Sequence, residues 1–226
     1  MSNLSNKTLG IIHASHLTIA AVRPFIDRYI PDVSVMHLCD DTFQRDNIAA
    51  GVGVIPKRNY AKFTQYAHNL EEADIDLILL ACSTFNFAAE LARPMINTQI
   101  MQIDRPMMEL AVQTGARIGM LATLATTVPS SERLLQIAAR EAGKTIASDT
   151  VLCSEAFEEY SRGNVDKHNE ILFEAIDKLS GRVDCIVMAQ LSMSALAPHL
   201  KDTKVPVINS GDTGFQRILD ILSKMD

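Results

Sequence analysis

Two stretches of the sequence could place reactive side chains at the ends of buried strands. Apolar residues run into Cys82 in LILLACSTFN (77–86), and a similar run leads into Gln190 in VMAQLS (187–192). A thiol between a strand and a helix lies near backbone N–H groups, which lower its pKa and favour the reactive thiolate. The competing interpretation is a small space-filling side chain, because free cysteine is among the most buried residue types. Cys82 is therefore a candidate catalytic residue, and the sequence around it leaves both interpretations open.

The amide of Gln190 offers different chemistry from a thiol. It could donate a hydrogen bond to a substrate carboxylate or to an enediolate oxygen, but an amide cannot act as a general base at neutral pH. A structural link between two loops is an equal alternative, since buried amides need partners. His13 ends another apolar run and could orient a substrate or donate a proton, although a purely structural histidine is the competing interpretation.

Hydroxyl and amide side chains cluster after the same apolar runs. Together with loop N–H groups they could bind an anion, and the absence of a glycine-rich phosphate signature favours a carboxylate over a nucleotide. Helix capping is the alternative role for these side chains. The predicted substrate-binding residues are Ser15, Ser83, Thr84, Asn86, Thr123, Thr126, Thr127 and Ser192.

Short apolar segments alternate with helical patterns along the whole chain. This alternation, with nearly continuous apolar strands, predicts an α/β protein whose parallel sheets are covered by helices on both faces. The predicted strands are 9–13, 33–39, 75–82, 98–103, 116–123, 144–153, 184–190 and 205–209. The predicted helices are 18–30, 57–73, 106–115, 130–143, 168–181 and 215–225.

An internal repeat organises these segments. GIIHASHLT (10–18) aligns with GMLATLATT (119–127) at an offset of 119 − 10 = 109. IDLILLACST (75–84) aligns with VDCIVMAQLS (183–192) at an offset of 183 − 75 = 108. The shared offset predicts two pseudo-symmetric lobes, each a parallel four-stranded sheet flanked by helices, with the active site between them. The predicted boundaries are 1–114, 115–209 and a C-terminal helix, 210–226, that packs back across the lobes.

Composition narrows the class of protein. The chain has 226 residues and a net charge of −6, so nucleic acid is not expected as a partner. A secretory signal and a membrane span are both missing from the pattern, which predicts a cytoplasmic protein. The cysteines are far apart and show no metal-ligand spacing, so we expect reduced thiols and no metal. They are Cys39, Cys82, Cys153 and Cys185.

Five stretches carry a resemblance to a known family: GIIHAS, LLACSTFN, MQIDRPMMELAV, RIGMLATLATTVPSSERLL and VMAQLSMSAL. In them the sequence resembles the aspartate/glutamate racemase superfamily, which includes hydantoin racemases, maleate isomerases and arylmalonate decarboxylases. The resemblance implies two lobes, no cofactor, a homodimer, and a cysteine from each lobe beside the substrate's α-carbon. Cys82 matches the first cysteine, but Gln190 stands where the second belongs, and Cys185 lies five residues too early to replace it.

We therefore predict a cofactor-independent isomerase of racemase type with a single catalytic cysteine. It would transfer a proton at the carbon α to the carboxylate of a small (di)carboxylic or amino acid. A single-cysteine decarboxylase or lyase acting on malonate-type acids is one alternative, and addition of the thiolate to a double bond, as in cis–trans isomerisation, is a related reaction. A non-catalytic carboxylate-binding protein is the alternative from a different class.

Overall fold

A computed structural model describes residues 4–200 and 202–225, which form two parallel four-stranded sheets flanked by helices. The predicted α/β class with two similar lobes is confirmed. The outer ends of the predicted boundaries, residues 1–3 and 226, lie outside the described residues, as does residue 201. No helix in the described part of the chain combines the length and apolar character that crossing a membrane requires.

All eight predicted strands form, each within a few residues of its predicted ends. The first sheet has the order β2-β1-β3-β4 and the second the order β6-β5-β7-β8. The first contains β1 (Thr8–His13), β2 (Ser34–Cys39), β3 (Leu77–Leu80) and β4 (Gln99–Gln102). The second contains β5 (Arg117–Ala122), β6 (Ala147–Leu152), β7 (Cys185–Met188) and β8 (Val207–Asn209).

Nine α-helices of the described residues cover the sheets. The six predicted helices form, and three short ones are additional. In chain order they are α1 (Leu17–Tyr29), α2 (Thr42–Ala50), α3 (Lys57–Glu72), α4 (Phe87–Ala92), α5 (Arg105–Thr114), α6 (Val128–Glu141), α7 (Ser154–Ser161), α8 (Val165–Ser180) and α9 (Ser210–Leu222). Short 3-10 helices at Ser83–Phe85 and Leu191–His199 follow β3 and β7.

The two sheets share one register. Ile12 pairs with Leu80 between β1 and β3, and Leu121 pairs with Met188 between β5 and β7. These pairs differ by 121 − 12 = 109 and 188 − 80 = 108, the offsets of the sequence repeat. Cys82 and Gln190 therefore occupy equivalent positions, each two residues beyond the matching strand pair.

Close packing beneath the first strand of each lobe repeats as well. A Cβ atom added at Gly10 would lie 2.7 Å from Leu70 of α3, and one added at Gly119 would lie 2.7 Å from Leu179 of α8. Both glycines are needed because the helix approaches the strand too closely for a side chain. Two hydrophobic clusters on the faces of each sheet make up the core, as the continuous apolar strands predict.

Each lobe contacts the other through the 3-10 helix that follows one of its central strands. The 3-10 helix after β3 packs on α6 of the second lobe, and the 3-10 helix after β7 packs on α1 of the first. Helix α9 contacts α1 and α5, and Phe215 stacks on Phe25 with ring centroids 5.7 Å apart. These contacts place the ends of β1, β3, β5 and β7 around one shared space.

Candidate active site

A cavity of about 100 Å³ lies between the lobes at the carboxyl ends of the central strands. A water molecule needs roughly 10–15 Å³ on this measure, so the cavity has room for a small organic acid. Open parallel sheets bind ligands at this edge. The cavity brings together most of the predicted site residues: Ser15, Cys82, Ser83, Thr84, Thr123, Thr126, Thr127, Gln190 and Ser192. His13 and Asn86 are not in its lining.

Cys82 lies in extended backbone between β3 and the 3-10 helix, and it is partly exposed to the cavity. The N–H groups of Phe85 and Thr84 favour its thiolate, as the sequence predicts. Burial nevertheless outweighs them and, with the negative charge of Asp104, raises the pKa of the thiol to about 12. The expectation of a depressed pKa is therefore wrong, because desolvation of the charged form dominates. Cys82 is a neutral thiol at physiological pH.

Asn86 supports the cysteine loop from below instead of facing the cavity. Its Nδ2 donates to the carbonyl of Ser83 at 3.0 Å and to Oδ2 of Asp104 at 3.0 Å. Both side chains are fully buried, and burial raises the pKa of Asp104 although the bond from Asn86 opposes that shift. The prediction that Asn86 binds substrate is corrected to a structural role, because its amide donors are occupied behind the loop.

Gln190 joins the ends of β5 and β7. Its Oε1 accepts hydrogen bonds from the backbone N–H of Thr123 at 2.6 Å, the hydroxyl of Thr123 at 3.0 Å and the N–H of Leu124 at 3.2 Å. Because only an oxygen can accept from backbone N–H groups, the orientation of the amide is fixed. Its Nε2 has no protein partner among the described residues, so this group is the one available to a ligand in the cavity.

This arrangement changes the predicted anion pocket after β5. The sequence suggested that the N–H and hydroxyl of Thr123 would bind a substrate carboxylate, whereas both donate to Gln190. The hydroxyls of Thr84 and Thr127 lie 3.0 Å apart and form a bridge between the lobes. Thr126 remains in the lining without a side-chain partner from the described residues.

His13 is a buried structural residue in this fold. Its Nδ1 lies 2.7 Å from the hydroxyl of Thr18, and its Nε2 lies 2.9 Å from Nδ1 of His37. Burial, together with His37, lowers its pKa to about 4. The interpretation of His13 as a proton donor to substrate is corrected, because its side chain points to α1 and both ring nitrogens are engaged.

Another histidine, His168 of α8, lines the cavity from the second lobe. Its Nδ1 lies 2.8 Å from the carbonyl oxygen of Ala156, and its ring packs on Tyr160 with centroids 5.1 Å apart. A carbonyl only accepts, so Nδ1 carries a proton, and in the neutral imidazole Nε2 would offer a lone pair. No described residue pairs with that Nε2. Sequence alone cannot place His168 at the cavity, since α7 and α8 must first fold over the sheet.

The remaining cysteines do not reach the cavity. Cys185 is fully buried in the second lobe, with Sγ 3.7 Å from the carbonyl of Ala111, as its position inside a strand predicts. Cys39 is exposed and Cys153 is buried elsewhere. No group of three or more His, Cys, Asp or Glu side chains in residues 4–200 and 202–225 is arranged to hold a metal ion.

The sequence of the chain is similar to a known protein family. A family model described as Asp/Glu/hydantoin racemase matches residues 24–218. No curated protein sequence matches the chain significantly.

Several solved structures are similar in fold. An aspartate racemase homologue from Pyrococcus horikoshii has a TM-score of 0.71 at 18% identity, with 96% of this chain and 100% of that chain covered. The aspartate racemase of Picrophilus torridus has a TM-score of 0.70 at 16% identity, covering 97% and 96%. The allantoin racemase of Klebsiella pneumoniae has a TM-score of 0.65 at 18% identity, covering 96% and 87%. At these identities the structures establish the shared fold.

Proposed function

The chain belongs to the Asp/Glu/hydantoin racemase family, and we propose that it is a cofactor-independent enzyme that transfers a proton at the carbon α to a carboxylate. Membership makes it a racemase- or isomerase-type enzyme. The observation that carries the finer proposal is the position of Cys82, which lines the cavity between the lobes at the end of β3. A small carboxylic acid bound there would present its α-carbon to the thiol.

The protonation state of Cys82 indicates whether it donates or accepts a proton in the proposed reaction. A thiol with a pKa of about 12 carries its proton at neutral pH and is a proton donor in the resting enzyme. Removal of the α-proton therefore needs a different group. Gln190 cannot supply it, because an amide is not a base. His168 is the candidate, since it lines the same cavity from the other lobe and its neutral imidazole, with Nδ1 bonded to Ala156, would have Nε2 free to accept a proton.

The proposed reaction then consists of three proton transfers. Nε2 of His168 takes the α-proton, and the electron pair of the broken C–H bond moves into the carboxylate to give an enediolate. Cys82 gives its proton to the carbon from the opposite side, which leaves a thiolate facing an imidazolium. Return of the imidazolium proton to sulfur through water restores the enzyme, and the opposite charges stabilise this intermediate state.

Donors at the enediolate oxygens would lower the barrier. The Nε2 amide of Gln190 is available in the cavity because its oxygen is held by Thr123 and Leu124. A fixed donor of this kind contributes on the order of 3 kcal/mol to transition-state stabilisation. Gln190 would thus stabilise the enediolate electrostatically, at the position where a second cysteine would act as an acid or a base.

Decarboxylation of a malonate-type acid is the second candidate, and the neutral thiol favours it. Loss of CO₂ forms the same enediolate without any base, and Cys82 would then protonate the carbon from one side. The two reactions differ only in how the enediolate is formed.

Proton transfer is tested by incubating the purified protein with small carboxylic acids in deuterated water and following the α-proton by NMR. Exchange with inversion supports the two-base reaction, exchange without inversion supports one-base chemistry, and CO₂ release supports decarboxylation. The rate of α-proton exchange is expected to fall at least roughly 100-fold in Cys82→Ser. The control Cys39→Ser, which changes an exposed thiol outside the cavity, is expected to keep the wild-type rate. Binding without exchange, unchanged in Cys82→Ser, would instead indicate a carboxylate-binding protein.

The homodimer and the cytoplasmic location remain predictions. Light scattering of the purified protein tests the first, and fractionation of the source cells tests the second.

A further inference from the structure

The lining of the cavity is free of permanently charged side chains. None of its residues is Asp, Glu, Lys or Arg in the part of the chain that the structure describes. Titratable groups in the lining are limited to Cys82, Tyr160 and His168. The other polar groups are hydroxyls and amides: Ser15, Thr18, Gln44, Asn47, Ser83, Thr84, Thr123, Thr126, Thr127, Gln190 and Ser192.

Three arginines outside the lining have other partners. Arg45 and Arg58 both bind the carboxylate of Asp46, at 2.9 Å each. Arg133 stacks on the ring of Phe87, 3.8 Å from its centroid, in the neighbouring pocket. The ionisable group buried behind the cysteine loop is an acid, Asp104, and not a cation that could pair with a carboxylate. A second carboxylate on a substrate would enter this cavity without a cation to pair with it.

Apolar side chains form the outer wall of the cavity. Leu17 at the start of α1 is 49% exposed and Ile48 of α2 is 48% exposed, although both are large and hydrophobic. Phe157 of α7 lies in the same lining, together with Ala21. Apolar groups at a cavity mouth gain free energy when a ligand covers them. This wall is therefore suited to an apolar substituent, while the strand ends hold the polar group.

We infer that the substrate of the proposed proton transfer carries a single carboxylate, next to the reacting carbon, and an uncharged, mainly apolar side chain. The same lack of a cation counts against a malonate-type acid, the substrate of the second candidate reaction. An amino dicarboxylate is thus the wrong substrate class for this cavity. The inference rests on the proposed function, since it names the substrate of the same site.

Isosteric substrates test the charge of the side chain alone. Glutamine and glutamate have the same shape and differ by one negative charge, and leucine replaces the polar group by an apolar one. We expect α-proton exchange in deuterated water to proceed with a kcat/KM roughly 100-fold higher for glutamine than for glutamate, because an unpaired carboxylate must be desolvated. Leucine is expected to equal or exceed glutamine.

Equal or faster exchange with glutamate would overturn this inference while leaving the proposed proton transfer intact. No exchange with any of the three, or with other monocarboxylates bearing apolar side chains, would overturn the proposed function and the substrate class with it. The two failures are therefore distinguishable.

A cation placed in the apolar wall provides an independent test. Ile48→Arg is expected to lower the glutamine-to-glutamate ratio of kcat/KM at least roughly tenfold, since the new charge can pair with a side-chain carboxylate. Val52→Arg is the matched control, because Val52 is 58% exposed and lies outside the lining. Leu17→Arg repeats the test from α1. An unchanged ratio in both cavity variants would contradict the assignment of this wall to the side chain.

Discussion

The amide oxygen of Gln190 lies 2.6 Å from the backbone nitrogen of Thr123, so the residue in the place of a second cysteine ties together the two central strand ends of its lobe. A cysteine side chain is too short to accept the same three hydrogen bonds from Thr123 and Leu124. The glutamine therefore has both a structural role through Oε1 and an unoccupied donor, Nε2, in the cavity. Under the proposed function, fold stability and catalysis would both depend on this residue.

Replacement of Gln190 by alanine is expected to lower the free energy of unfolding by about 3 kcal/mol or more, since three donors lose their acceptor. The change leaves buried N–H and hydroxyl donors without an acceptor, and each such loss costs roughly 1–3 kcal/mol. Urea unfolding followed by circular dichroism measures the effect. Gln136→Ala, at an exposed site on α6, is the control and is expected to change stability by less than about 0.5 kcal/mol. Equal stability of both variants would mean that the strand ends do not depend on Gln190.

Native Cys82 is expected to react with iodoacetamide only as fast as its small thiolate fraction allows. With a pKa of about 12, the rate should rise roughly tenfold per pH unit from pH 7 to pH 9 without levelling off. The same cysteine in urea, with an ordinary pKa near 8.5, should approach a plateau over this range. Mass spectrometry of the peptide that contains Cys82 measures both rates. A native plateau below pH 8 would show that the N–H groups of the loop prevail over burial.

The sequence was sufficient for most of the fold because the strands are nearly continuous apolar runs with a shared repeat offset. LILL (77–80) and CIVM (185–188) are buried on both faces, which is what such runs predict. Helices α2, α4 and α7 were not predicted, since they have 9, 6 and 8 residues and such short segments show too few helical turns for a periodic pattern to stand out.

Only the site residues that directly follow a strand could be predicted from the sequence. Cys82 and Gln190 follow strands of the same register, so their shared cavity could be expected from the repeat. The pKa of Cys82 depends on how much protein surrounds the thiol, and the position of His168 depends on the packing of α8 over the second sheet. Neither the pKa of Cys82 nor the position of His168 can be deduced from neighbouring residues in the sequence, because both depend on tertiary packing.

His168→Asn is expected to abolish inversion at the α-carbon while leaving the fold intact. The amide of asparagine can donate to the carbonyl of Ala156 as Nδ1 does, but it cannot accept a proton. Loss of a general base lowers rates by roughly 10²–10⁴-fold, so chiral chromatography of the product should show no inversion above background. Decarboxylation, which needs no base, would be reduced much less.

His199→Asn, at an exposed histidine of the last 3-10 helix, serves as the control for this change. Full inversion by His168→Asn would rule out His168 as the base and direct attention to water held in the cavity.

The pair formed by His13 and His37 predicts acid sensitivity of the first lobe. His13 has a pKa of about 4 in the folded protein and close to 6.5 when unfolded, so the unfolded state binds the proton first as the pH falls. Its contribution to stability is complete above pH 6.5 and is lost as the pH decreases towards 4. Between pH 7 and pH 5 the loss amounts to about 2 kcal/mol, because one pKa unit corresponds to about 1.4 kcal/mol.

Urea unfolding at pH 7 and pH 5 measures this loss. In His13→Gln the decrease between the two pH values should be smaller than in the wild type by about 2 kcal/mol, whatever the absolute stability of the variant. His37, whose pKa is also lowered by burial, is present in both proteins, so the difference reports on His13. His199→Gln, at an exposed site, should retain the wild-type decrease. A decrease of the same size in His13→Gln would show that His13 accepts its proton without disrupting the buried contact with His37.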